Sequence, residues 1–173
     1  MRILFFILLF TLTNVLFVNA QTRKPLGLEK ILLNADTVLI VSHDNTGITV
    51  TDDETGKDIT PKLFINGKLN YAILHTQRII KDSMRKKLLK ILLLKNKSYK
   101  IVMTKCYMPQ HAILIIKNHK VSFIDICFGC LKYEVSDDLR LFMRPFDINK
   151  WNELYQFFIQ NGMEAMYGDK ISD

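Results

Sequence analysis

A chain of 173 residues that is 49% apolar, with only 7 Gly and 4 Pro, holds the core-forming material of one folded domain and excludes a disordered or low-complexity chain. Its 24 Lys plus Arg against 17 Asp plus Glu leave a formal charge of +7. That excess suits an anionic surface or a polyanion as partner and specifies no activity. The 3 cysteines are an odd count, allowing at most one internal bridge with one sulfur left over.

Residues 1–20 read as a cleavable secretory signal. Met1-Arg2 gives a positive start, residues 3–10 are unbroken apolar, and Val18-Asn19-Ala20 offers small or modest residues at the cleavage positions. The chain then turns polar at Gln21-Thr22-Arg23-Lys24-Pro25. An uncleaved membrane anchor needs about 20 mostly apolar residues, and this stretch is shorter and interrupted by Thr11, Thr13 and Asn14. A mature chain of residues 21–173 is therefore expected, secreted or periplasmic and not membrane-spanning. Residues 21–35 read as a tether or short helical lead, and residues 36–173 as a single domain.

Within that domain, residues 36–43 (DTVLIVSH) form a β-type run closed by Asp44-Asn45-Thr46-Gly47. Residues 48–51 make a second strand, and residues 52–57 a polar turn. Asn66-Gly67 is the strongest hairpin signal in the chain, because both turn positions need positive φ. Residues 71–80 continue as strand. Asp82-Ser83 supplies an N-cap for a helix to about Lys95, with Met84, Leu88, Ile91 and Leu92 on one face. Arg85, Lys86, Lys87 and Lys90 make its basic face, which suits an anionic lipid or polyanion or is simply solvated. It lacks the interleaved aromatics that stack bases, so no nucleic acid is expected.

Residues 99–105, 112–116 and 121–126 return to β character, with a further extended patch at Tyr133-Glu134-Val135. A closing helix spans about 148–160, its Trp151, Leu154, Tyr155 and Phe158 sharing a face and Gly162 ending it. The expected class is α+β: an antiparallel sheet of several strands with two main helices.

Chemistry concentrates in Cys106, His111, Cys127 and Cys130. A two-residue turn at Asn118-His119 sets His111 opposite Ile126, whereas a three-residue turn sets it opposite Cys127. Either register brings all four residues to the open end of one hairpin, though a slip changes which faces they occupy. Three readings stay open. Three thiolates and one imidazole suit zinc, with Gly129 letting the C-x-x-C turn close, and copper(I) also suits soft thiolates. One disulfide with a spare thiol is the second. Loop entropy gives about 3.4 kcal/mol to a Cys106–Cys127 bridge and about 1.9 to Cys127–Cys130, so a purely structural bridge favours the longer loop. The third is a catalytic cysteine with His111 as base, for which no orienting group is identified. The thioredoxin arrangement is excluded, since it needs a long helix after the motif and residues 131–138 (LKYEVSDD) read as extended chain and turn.

Cys106-Tyr107-Met108-Pro109-Gln110-His111-Ala112 followed by Ile126-Cys127-Phe128-Gly129-Cys130 resembles a pattern in small exported bacterial proteins of unassigned activity. The likeness covers about 25 residues at the central hairpin and implies that the cysteines and the hairpin belong together. Those proteins often carry a basic residue where this chain has Gln110.

Other candidates have plainer readings. Ser42-His43-Asp44 holds triad residue types, but adjacent residues cannot fold onto one another in triad geometry, and a strand end entering a turn is expected. Asp52-Asp53-Glu54 with Asp58 lacks the alternate-position spacing of a calcium loop and reads as a solvated turn. His75 reads as structural, and His119 as a turn residue tolerating left-handed backbone. No nucleophile, base and orienter can be assembled, so binding or structural work is favoured over catalysis.

Overall fold

The computed structural model describes residues 26–97, 106–140 and 143–163. The signal segment 1–20 and the strand expected over 99–105 lie outside the described residues. The elements follow the order α1 (Leu26–Leu33), β1 (Thr37–His43), β2 (Val50–Thr51), β3 (Asp58–Ile59), β4 (Phe64–Ile65), β5 (Lys68–Leu69), β6 (Leu74–Ile79), α2 (Asp82–Leu92), β7 (His111–Lys117), β8 (Lys120–Cys127), β9 (Lys132–Val135) and α3 (Ile148–Gln160). The class is the expected α+β. The helical lead becomes a third helix, α1, packed on α2.

Five strands form one antiparallel sheet in the order β6-β1-β7-β8-β9. Alternation along each strand sorts the side chains onto two faces. Val38, Ile40, Ile113, Ile115, Ile124 and Ile126 point to one face, where Leu28 and Leu32 of α1, Leu88 and Ile91 of α2, and Leu154 and Phe158 of α3 cover them. Val41, Ala112 and Leu114 point to the other, beneath Leu63 and Ile73 of the excursion between β1 and β6. That excursion carries two short ribbons, β2–β3 and β4–β5. Central strand β7 (HAILIIK) is therefore covered on both faces, which is why its apolar residues run on without alternating with polar ones. Each fully buried Leu, Ile or Phe contributes about 1.5–3 kcal/mol relative to exposure.

Turn chemistry sets the register. Asn66 and Gly67 have φ of 50° and 75°, and Asn118 and His119 have φ of 47° and 63°, so both hairpins close on two left-handed residues. The second turn pairs Lys117 with Lys120 and sets His111 opposite Ile126, one of the two registers expected. Gly162 (φ 77°) ends α3 with Met163 N–H donating to the Phe158 carbonyl and Gly162 N–H to that of Ile159, the paired bonds of a Schellman end.

Three local expectations need correcting. Residues 71–80 are not all strand: Tyr71–Ile73 is a turn of 3-10 helix, capped by the Asn70 side chain. α2 begins at Asp82 after an extended Lys81 that gives no side-chain cap, and stops at Leu92 rather than about Lys95. The chain leaves there because the Lys97 N–H bonds the Asp147 carboxylate (2.6 Å), while Lys150 Nζ donates to the Leu92 carbonyl. Arg85 is not on the solvated basic face. Only 8% exposed, it donates to the carbonyls of Ile80, Ala35 and Asp36, joining the start of α2 to the connection between α1 and β1. Lys86, Lys87 and Lys90 do remain exposed. No helix among the described residues is long and apolar enough to cross a membrane.

Candidate functional site

In an antiparallel sheet the end of one strand meets the start of its neighbour. His43 at the end of β1, His111 at the start of β7 and Cys127 at the end of β8 therefore share one end of the sheet. The chain just before β7 is strapped across this end by its backbone. His43 N–H donates to the Gln110 carbonyl (2.9 Å), Gln110 N–H to that of Ile126 (3.2 Å) and Thr46 N–H to that of Pro109 (3.4 Å). Tyr107 adds its hydroxyl, which donates to the Asp125 carbonyl (3.2 Å). Burial, with the nearby charges of Asp125 and Glu134, pushes that phenol far above its ordinary pKa, so it stays a donor.

Strand β8 runs into the tight turn Cys127-Phe128-Gly129-Cys130. Phe128 is fully buried and fixes the turn to the core, its ring lying 5.2 Å from those of Tyr155 and Phe158 and 5.3 Å from that of His111. The Phe128 carbonyl accepts from Leu131 N–H (3.2 Å), and Leu131 takes a left-handed φ of 51° to re-enter strand β9. With the turn so held, the Cα atoms of Cys127 and Cys130 stand 5.2 Å apart, and the two residues form a disulfide. The bridge is thus the short one, not the Cys106–Cys127 bridge that loop entropy alone favours. Loop entropy counts what a bridge removes from the unfolded chain, whereas the pairing found is set by which sulfurs the folded turn brings together.

Cys106 is the free and exposed cysteine. Its Sγ lies 3.3 Å from Cys130 Sγ, which also receives the Met108 N–H at 3.4 Å. All three sulfurs therefore meet at this end of the sheet. His111 does not join them on the same terms. Its register with Ile126 turns it to the helix-covered face, where its ring stands edge-on to Phe128 and Phe158. Of the four residues singled out for zinc, the structure gathers Cys106, Cys127 and Cys130 and sets His111 among aromatic rings. Cys127 and Cys130, joined as a disulfide, offer no thiolates, and no group of three or more His, Cys, Asp or Glu able to hold a metal is found among the described residues.

A second feature was hidden from the sequence. His43 is completely buried, and its Nε2 lies 3.0 Å from Asp125 Oδ1 while its Nδ1 lies 2.7 Å from the Asp44 carbonyl. Both neighbours are acceptors, so both contacts are satisfied as hydrogen bonds only when the imidazole carries two protons. Burial opposes that charge, but the bond to Asp125, its negative charge, and the carbonyls of Asp44 and His111 outweigh burial and raise the pKa of His43. Asp125 is held in turn by Thr46 Oγ1 (3.4 Å) and by the Ile126 N–H (3.1 Å). The signal for this pair was a lone carboxylate inside the apolar run 123–127 (FIDIC), since a charge in a buried strand needs a partner. Ser42-His43-Asp44 is no triad, as expected: the side-chain partner of His43 is Asp125, and Ser42 Oγ accepts from Thr76 N–H.

The remaining candidates are structural. His75 makes a half-exposed pair with Asp44 (2.8 Å), an arrangement worth at most about 1 kcal/mol. Asp52 accepts from the N–H and hydroxyl of Thr55 within its exposed turn.

Gly47 sets how closely the strap can lie. A Cβ there would sit 1.9 Å from the Tyr107 carbonyl oxygen and 3.1 Å from Met108 Cα, both backbone atoms with nowhere to rotate. Gly47→Ala is therefore expected to cost about 1–3 kcal/mol in urea unfolding, the range for overpacking, and to change the alkylation rate of Cys106. An unchanged midpoint and rate would show that the strap yields freely. No family model, curated protein or solved structure matches the chain.

Proposed function

We propose that this is an exported binding or structural module, secreted or periplasmic, whose working surface is the bridged end of its sheet. The Cys127–Cys130 disulfide stiffens that surface, and Cys106 supplies it with one accessible thiol. The observation that carries this reading is an exposed cysteine touching the sulfur of a bridge made by the other two. An oxidising compartment supports such a bridge, and an odd cysteine there leaves one thiol for a partner. Catalysis with a base at Cys106 draws no support from His43, whose ring nitrogens are engaged by Asp125 and Asp44. Lys86, Lys87 and Lys90, exposed on α2, support an anionic surface or polyanion as partner.

A zinc site on Cys106, His111, Cys127 and Cys130 is the second reading, favoured by the meeting of the three sulfurs. It belongs to the reduced protein, because the bridge must open before Cys127 and Cys130 become ligands. Thiol titration in denaturant without reductant separates the two, read beside metal content of protein purified without chelator. The module reading expects one thiol, rising to three after reduction, and no stoichiometric zinc. Three thiols before reduction, with about one zinc per chain that Cys127→Ser loses, would overturn it in favour of the metal site.

A further inference from the structure

Three sulfurs in one cluster, two bonded and one free, are the components of an exchange reaction. Thiol–disulfide exchange needs a thiolate within reach of a disulfide sulfur, and it goes faster when the departing sulfur is stabilised as an anion. The geometry supplies the reach and a hydrogen-bond donor for the departing sulfur. Cys106 Sγ lies 3.3 Å from Cys130 Sγ, and Cys127 Sγ, on the far side of the bridge bond, accepts the Cys130 N–H at 3.2 Å. The attacking residue is exposed, so solvent can take its proton.

We propose that the bridge migrates within the chain. The Cys106 thiolate attacks Cys130 Sγ and forms a Cys106–Cys130 bond. The Cys127–Cys130 bond breaks, and its electron pair leaves on Cys127, which takes up a proton equal to the one Cys106 released. No external oxidant or reductant enters, because one disulfide and one thiol are present before and after. What changes is where the thiol stands. In the starting form it is on exposed Cys106, whereas after migration it is on Cys127, which is only 4% exposed. The module thus presents its thiol in one form and withholds it in the other. A disulfide-bearing or electrophilic partner is captured only by the presenting form. Capture at Cys106 would also block migration, since the sulfur that attacks is then bonded elsewhere.

The inference rests on the reading of Cys127–Cys130 as the resting bridge, and the test separates the two. Purified full-length protein, wild type and Cys127→Ser, is equilibrated with oxidised glutathione, quenched with N-ethylmaleimide and mapped as non-reduced peptides. Cys127→Ser is expected to lose both remaining thiols to a Cys106–Cys130 link rather than to separate glutathione adducts. Wild type is also held for increasing times at mildly alkaline pH without maleimide, then acid-quenched, alkylated in denaturant and mapped. It is expected to show a minor species with a Cys106–Cys130 link and the label on Cys127, a label that vanishes in Cys106→Ala. Separate adducts on Cys106 and Cys130 in a folded Cys127→Ser protein overturn the migration and leave the resting bridge standing. If that variant does not fold, a wild type labelled on Cys106 alone at all times overturns it. A wild type with no Cys127–Cys130 link at all overturns the underlying reading instead.

Discussion

Asp125→Ala is expected to destabilise the protein by about 3–5 kcal/mol, the cost of removing one partner from a buried charged pair. His43 is fully enclosed and Asp125 nearly so, and water cannot replace the lost acceptor at Nε2. Thr46 and the Ile126 N–H lose their acceptor in the same step. The sign of the pH dependence follows from the raised pKa of His43. A raised folded-state pKa contributes stability that is fully present below the unfolded histidine value of about 6.5 and is lost as pH rises through the folded value. Wild-type stability should therefore decline as pH climbs above that point. Asp125→Asn keeps the shape but not the charge, and should flatten this decline while costing less than the alanine variant. Urea midpoints across the neutral range, taken without reductant, check both. A loss below about 1 kcal/mol for Asp125→Ala would show that the pair is not what closes this end of the sheet.

Phe128→Ala should be comparably severe, at about 3–5 kcal/mol, the usual range for emptying a buried aromatic site. Its ring stands edge-on to those of His111, Trp151, Tyr155 and Phe158, so deletion removes packing between the bridge turn, β7 and α3 together. The residue sits between the bridged cysteines, and its loss should also free the turn that holds them in pairing distance. Phe128→Leu, which refills most of the volume, is expected to recover the greater part of the stability. Denaturant unfolding of the two variants gives the comparison. Equal and small losses would mean that the turn is held by its backbone and the disulfide rather than by its anchor.

Much of the hairpin at the centre of this molecule is visible in its residues. Asn118-His119 marks the turn and leaves two registers open, of which the fold takes the one that pairs His111 with Ile126. The apolar stripe of Trp151, Leu154, Tyr155 and Phe158, followed by Gly162, likewise reads as a helix docked on a core and ended by a left-handed residue. Such signals are local, carried by neighbours within a turn or two. What the residues concealed is non-local. β1 lies between β6 and β7, and that order depends on which sheet faces the helices and the 44–73 excursion cover. Arg85 carries the charge of a surface residue, yet the carbonyls of Ile80, Ala35 and Asp36 draw it inside. His43 and Asp125 find one another across 82 positions of sequence. Among the cysteines, proximity was legible from the hairpin, but the choice of pair was decided by Phe128, whose burial shapes the turn.

Electron-transfer dissociation of a non-reduced digest, after alkylation in denaturant, locates every sulfur directly. A link joining Cys127 to Cys130 within one peptide, with the label on Cys106 in the predominant species, is the expected spectrum. Three labelled cysteines, or a predominant link from Cys106 to Cys127, would contradict the bridged sheet end and the thiol it presents.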